Sequence, residues 1–208
     1  MKERGMIFNA EMVNAILSGR KMQTRRPIKW KQTRFTEIAE REDGSLWPWA
    51  EDCERGGDIW FACPFGEVGD CIWVRETWAE AGASAPDLKL YRANYPAHVP
   101  THYENVPPAE DVRWTPSIHM PRWASRILLE ITDVRVERVQ DISQIDAIAE
   151  GGPPDHPSFS KISQEMGFSD WPRSWFAQTW WGIYGREAWN TNPWVWVIEF
   201  KRVEGGAA

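Results

Sequence analysis

The sequence is poor in the residues that would tie it together covalently or hold it in a membrane. Cys53, Cys63 and Cys71 are an odd number with no C-x-x-C pair, which argues against a disulfide framework and for reduced, mostly packed thiols. A zinc site built from them with His98 or His102 is disfavoured too: Pro100 keeps the two His off one regular helix face, and structural zinc sites pair their ligands more tightly. No metal and no cofactor is expected. No stretch approaches the roughly 20 apolar residues that span a bilayer, and MKERGMIFNA lacks a signal-peptide core, so a cytoplasmic protein with no membrane partner is expected. The net charge of -6 leaves no broad basic face for non-specific binding along duplex DNA. One absence is local: residues 20 to 34 contain no Asp or Glu.

What those residues do contain is seven cations, Arg20, Lys21, Arg25, Arg26, Lys29, Lys31 and Arg34, in the stretch GRKMQTRRPIKWKQTR that begins at Gly19. Ordinary surfaces intersperse charges of both signs, so a one-sign run in an acidic chain asks for a polyanionic or nucleotide partner. The plain alternative is a solvated loop whose Lys and Thr satisfy the carbonyls of a preceding helix. At 208 residues, 42% hydrophobic and 26% charged, the chain is large enough for a real core and is read as one domain spanning 1–208, with surface insertions at about 35–62, 82–116 and 153–169. Fifteen Trp is an excess that packing, base stacking or both would use.

Along the chain, GMIFN (5 to 9) predicts a short strand. Asn9 is placed to cap a helix with Val13, Ile16 and Leu17 on one face, and Gly19 to end it. The basic stretch then reads as a loop, Pro27 included. Residues 35–62 read as a surface hairpin, CIWVRETWAE as a buried strand, and LKLYRAN as a strand within a long irregular excursion. SIHMPRWASR leads into ILLEITDVRVERV, read as a strand pair with Ile131, Val134, Val136 and Val139 on one face. Ser143 and Asp146 form a capping box with Ile142 as its staple. Glu150 closes that helix, where the helix dipole disfavours a carboxylate unless it has a cationic partner or does chemistry. Asp170 is a possible cap for a helix bearing Trp171, Trp175, Phe176, Trp180 and Ile183 at helical spacing. Its Trp residues, Trp181 included, read as core more than as a ligand platform. PWVWVIEFKRV is the closing strand. The order of elements gives an α+β class with an antiparallel, barrel-like sheet carrying helices in its connections.

The segment from Gly19 to Arg26 matches G-x-K-x-x-T-x-R after an N-terminal strand and helix. With the Gly69-Asp70 turn before a strand ending in Glu76-Thr77-Trp78, the Ala149-Glu150-Gly151 helix end and Trp196-Val-Ile-Glu-Phe200, the chain resembles the ASCH family, small β-barrels related to the PUA domain. With SIHMPRWASR it looks like the long forms encoded by phages and prophages. The resemblance covers about half of the chain. It implies a PUA-like barrel, a bacterial host cell, and RNA, single-stranded nucleic acid or a modified nucleoside as partner. Some family members remove the acyl group from N4-acetylcytidine, others are described as ribonucleases, and many have only a binding role.

Similarity to the amidohydrolase members maps Thr24 onto the nucleophile, Lys21 onto its base, and Glu150 onto the acid for the leaving nitrogen, with no metal. Lys21 would be activated by Arg20, Arg25 and Arg26. Arg26 would contact an oxyanion or phosphate, while Lys29, Lys31 and Arg34 would guide a polyanion. Trp196 stands where compact members carry a Tyr, so their substrate does not transfer. In SIHMPRWASR, Arg122 and Arg126 are candidates for phosphates, Trp123 for stacking a base and His119 for acid/base work. The structural reading of the same segment makes Met120 and Trp123 core and lets the Arg side chains cover the sheet edge. The leading expectation is an RNA- or modified-nucleotide-binding protein. The alternatives are an amidohydrolase or a metal-independent ribonuclease, and a phage protein that blocks a host factor through its Trp-rich insertions. Oligomeric state is left open.

Overall fold

The computed structural model describes residues 1–30, 37–52, 54, 56–83, 85–152 and 171–203. Its strands are β1 (Glu3–Ile7), β2 (Gln23–Pro27), β3 (Glu37–Glu40), β4 (Leu46–Glu51), β5 (Asp58–Trp60), β6 (Cys71–Arg75), β7 (Trp78–Glu80), β8 (Lys89–Tyr91), β9 (Leu128–Arg138) and β10 (Trp194–Arg202). The α-helices, named here in chain order, are α1 (Ala10–Leu17), α2 (Gln144–Ala149), α3 (Trp171–Tyr184) and α4 (Arg186–Asn190). Strand and helix together make the mixed α+β class expected from the sequence. Lys31, Arg34, Cys53, Asp170 and the 153–169 insertion lie outside the described residues.

The contacts divide the chain into two compact units, each assembled from separated segments. The first comprises Met1–Gly19, Gly69–Glu130 and Lys201–Ala208; the second Arg20–Val68 and Ile131–Phe200.

In the first unit, β1 runs parallel to β6, which pairs antiparallel with the start of β9. The register sets Gly5 against Trp73. A Cβ at position 5 would lie 2.6 Å from the Trp73 ring, so glycine here is required by the close approach of the indole. α1 begins as expected, with Asn9 Oδ1 accepting from the Met12 amide at 2.8 Å, and buries Val13, Ala15 and Ile16. Gly19 follows with φ 74°.

In the second unit, β10 pairs antiparallel with β2, and β3, β4 and β5 form a separate antiparallel sheet where a single hairpin was expected. α2, α3 and α4 enclose a core of Val139, Ile142, Ala147, Phe176, Ala177, Trp180, Trp189, Val195 and Val197, with Trp175 and Trp181 packed against it. Most of the Trp excess on α3 therefore serves packing. Ile183, placed on the same face by spacing alone, is 45% exposed.

Two expectations are corrected. ILLEITDVRVERV is not a strand pair: its residues 128 to 138 form one strand of 11 residues, because no Gly, Pro or Asn interrupts it. The basic stretch is not a loop throughout. Residues 23 to 27 are strand β2, since their backbone partners in β10 lie some 170 residues away and the charge of Arg25 is neutralised by carboxylates that a local reading does not see.

Candidate functional site

β2 is a strand of polar residues that is nonetheless buried. Its ladder with β10 sets Gln23 opposite Glu199, Thr24 opposite Ile198, Arg25 opposite Val197, Arg26 opposite Trp196 and Pro27 opposite Val195. Side chains alternate along a strand and directly paired residues share a face. Gln23 and Arg25 thus share the face of Val195 and Val197, the one on the helical core, whereas Thr24 and Arg26 share the other with Trp196 and Ile198. Pro27 has no amide to donate and ends the strand.

Just before β2 the chain meets the end of α2. Ser143 caps the start of that helix, its Oγ accepting from the Asp146 amide at 3.0 Å. Glu150 is the C-cap residue, and Gly151, at φ 102°, turns the chain away. Lys21 and Glu150 form an isolated antiparallel bridge, reinforced by the Met22 amide donating to the Ala149 carbonyl at 2.8 Å. Lys21 Nζ donates to Glu150 Oε2 at 2.7 Å and to the Glu150 carbonyl at 2.8 Å, while Arg20 Nη1 reaches the Gly151 carbonyl at 3.2 Å. These cations resolve the conflict between Glu150 and the helix dipole.

Lys21 is 2% exposed and Glu150 5%. Burial drives the Lys21 pKa down from its ordinary value; Glu150 opposes this, and the positive charges of Arg26 and Arg25 add to it. The expected lowering is present, but desolvation is its main cause and the neighbouring arginines a minor one.

Arg25 is also buried, and its guanidinium is shared among three carboxylates: Glu137 at 2.8 Å, Asp146 at 3.3 Å and Glu150 at 3.3 Å. Phe176 covers it, with its ring centroid 5.7 Å from Cζ. A second arginine, Arg135 of β9, grips two of these carboxylates, Glu137 at 2.6 Å and Asp146 at 3.1 Å, and also contacts Glu199 at 2.5 Å and Asp133 at 3.2 Å. Burial works against the Arg135 charge, but hydrogen bonds to Glu137 and Glu199 outweigh it and raise its pKa. Burial likewise works against the Asp146 carboxylate, and Ser143, Arg25 and Arg135 outweigh it and lower its pKa. Gln23 belongs to this network once its amide is turned to donate to Asp146 and Glu199 and to accept from Arg25.

The structure thus brings Lys21, Arg25 and Glu150 together. Thr24 is buried, on the face of β2 away from Arg25, and its hydroxyl donates to neither Lys21 nor Glu150. Arg20 and Lys29 are exposed and Arg26 half-buried, beside Trp196, which is buried and meets Trp47 edge to face at 5.3 Å. Arg25, expected on nucleic acid, is instead enclosed by carboxylates.

The SIHMPRWASR residues lie in the first unit. Met120 is buried and Trp123 is 59% exposed, standing edge-on to Trp78 at 5.3 Å with Lys89 Nζ 5.6 Å from its centroid. The expected core role thus holds for Met120 and not for Trp123, and His119 is exposed. Arg122 pairs with Glu3 at 2.6 Å. Arg126 makes two bonds of 2.9 Å to the buried Glu76 and a third to Asn94 Oδ1, and lies over the Tyr91 ring at 4.0 Å. Its planar fork, expected on a phosphate, is taken up inside the protein. His98 is used internally as well, accepting from the Tyr91 amide at 3.1 Å.

Sequence reasoning missed Gln23, Arg135, Glu137 and Glu199. A signal was present: Asp133, Arg135 and Glu137 recur at a spacing of two, marking a charged strand face. Comparison of the chain with protein-family models, curated proteins and solved structures gives no match in any of the three, so the reading of the site rests on its geometry and its chemistry.

Proposed function

We propose that the chain is an ASCH-like, PUA-related protein of phage or prophage origin that binds RNA or a modified nucleotide, with the Lys21–Glu150 pair as the polar contact for the base. One observation carries this reading: a lysine and a glutamate almost wholly withdrawn from water and bonded to each other at 2.7 Å, at the two positions where the motif resemblance puts functional residues. Removing such charges from water costs more than their attraction commonly returns, and a buried lysine whose pKa is lowered by desolvation beside a specific partner is the kind of group that functional sites hold. The exposed Arg20 and Lys29, with Arg26, supply the positive charge that a phosphate chain would follow.

The test is a titration of the full chain with N4-acetylcytidine and with single-stranded RNA and DNA over a range of salt. Affinity for RNA should fall as salt rises, and replacing Arg26 and Lys29 should flatten the slope by about one unit per phosphate contact removed. A flat salt response together with no binding of the nucleoside overturns the reading.

A second reading draws on the lowered Lys21 pKa and on the buried hydroxyl of Thr24 three residues on, and requires that hydroxyl, which donates to neither Lys21 nor Glu150, to turn to Lys21 when substrate binds. In it, Thr24 Oγ1 attacks the acyl carbon of N4-acetylcytidine as Lys21, having first passed its own proton to Glu150, takes the hydroxyl proton. The C–N bond then breaks, Glu150 protonates N4 of the departing cytidine, and water releases the acyl group from Thr24. Absence of free cytidine after incubation with the wild-type protein sinks this reading and leaves binding alone.

A further inference from the structure

Arg25 was expected to meet nucleic acid, yet its side chain is fully withdrawn from water and surrounded by Glu137, Asp146 and Glu150. The three carboxylates come from two elements: Glu137 from β9, Asp146 from the first turn of α2 and Glu150 from its C-cap. Asp146 and Glu150 are four residues apart, one helical turn, so Arg25 bridges successive turns of α2 to a strand.

The contacts are unequal. Glu137 takes the short bond at 2.8 Å, and Glu150 Oε1 is held at 3.3 Å. The other oxygen of Glu150, Oε2, is bonded to Lys21 at 2.7 Å. Glu150 is therefore suspended between two cations, one oxygen to each, and the aim of its carboxylate is set by how strongly Glu137 draws Arg25 away. Arg135 in turn restrains Glu137 and Asp146 from the far side.

We propose that Arg25 is a positioning residue: shared between Glu137, Asp146 and Glu150, it fixes the orientation of the Glu150 carboxylate and so governs its bond to Lys21. This deepens the proposed function and rests on that reading for its purpose, while the geometry it invokes needs no ligand. A guanidinium is suited to the task because its planar fork engages several oxygens at fixed angles, which an ammonium does not.

The experiment follows the Lys21 side-chain nitrogen by NMR across a pH titration of the full-length protein. The charged groups facing Lys21 are Glu150, Arg25 and Arg26, and those facing Arg25 are Glu137, Asp146 and Glu150. Arg25→Met removes a neighbouring positive charge and leaves Glu150 to Lys21 alone, so the Lys21 midpoint should rise by about one unit. Glu137→Gln, whose wild-type side chain is 25% exposed and which leaves both buried cations in place, frees Arg25 to close on Glu150, so the Lys21 midpoint should fall. Arg25→Lys should restore net charge without restoring the wild-type Lys21 resonance, because the fork is lost.

Opposite shifts in the first two variants support the proposal. An unchanged Lys21 midpoint in Glu137→Gln overturns it, even if Arg25→Met does not fold, and so does a wild-type Lys21 resonance in Arg25→Lys. Should the shifts appear while N4-acetylcytidine and RNA bind to neither wild type nor variant, the proposed function fails and the positioning role stands.

Discussion

Two arginines of this chain, one half-buried and one buried, meet carboxylates in opposite ways. In the first unit Arg126 faces one glutamate, Glu76, through two equal bonds of 2.9 Å, with Asn94 and the Tyr91 ring completing its surroundings. In the second unit Arg25 divides one guanidinium among Glu137, Asp146 and Glu150, and Glu150 is further claimed by Lys21. The first pair is self-contained: Glu76 meets one cation through both of its oxygens, and Arg126 meets one carboxylate. The second is open-ended, since each member has more than one partner and a change at one contact is felt at the next. A matched pair holds structure in place; a shared one can also transmit a change.

The sharpest break between them should come from removing one member of each. Glu76→Ala strands Arg126 beside an aromatic ring with no other carboxylate shown against it, and should cost about 3–5 kcal/mol by denaturant unfolding. Lys21→Met leaves Glu150 in contact with Arg25 and should cost less, roughly 1–3 kcal/mol. Equal losses would erase the distinction. Adding Glu150→Gln to Lys21→Met should recover part of the loss, since the buried carboxylate left with only the longer contact to Arg25 is then neutral.

A smaller effect concerns acid. The Asp146 pKa is lowered in the folded chain, so its contribution to stability is complete above the ordinary carboxylate value of 3.8 and fades as pH falls through the lower folded value. Replacing Asp146 with Asn should therefore flatten the acid limb of a stability-against-pH curve measured by thermal unfolding. If the acid limb keeps its slope in the variant, the shared network is not what titrates there.

The smallest effect lies beside the self-contained pair. Burial pushes the Tyr91 phenol up to about 12, with Arg126 working against the shift, and its hydroxyl donates to the Ala124 carbonyl at 2.9 Å. Ultraviolet titration should show one tyrosine ionising about two units late, missing in Tyr91→Phe. A chain whose four Tyr all titrate together contradicts this. The sign is opposite to that of Asp146: the contribution of Tyr91 is complete below pH 10 and is lost as pH rises towards 12.

The elements that were legible in advance are those whose cause is local. Asn9 and Ser143 cap helices through bonds to amides three residues on, and Gly19 and Gly151 take the left-handed backbone at helix ends. Such contacts need only neighbouring residues, so the residue types announce them. β2 was not legible because its run of charges looks solvated until Glu137, Asp146 and Glu150, more than 100 residues away, are placed against it. Within the candidate site, the motif resemblance singles out Lys21 and Glu150 as base and acid, and the ion pair between them is what the structure adds. The roles of Arg25 and Arg126 were misassigned for one reason: an arginine fork suits a phosphate and a carboxylate equally well, and the sequence does not say which one arrives.

Arg25 and Arg26 are adjacent, identical in chemistry, and separated in fate by parity alone, since β2 turns odd-numbered side chains to one face and even-numbered ones to the other. This makes the segment intolerant of length change in a way that composition would never reveal. Inserting a single residue between Met22 and Thr24 would leave every residue type in place and yet deliver Thr24 or Arg26 to the acidic face and Arg25 to Trp196. The segment is thus protected less by which residues it holds than by how they are counted, and relatives of this chain should vary its side chains more readily than its length.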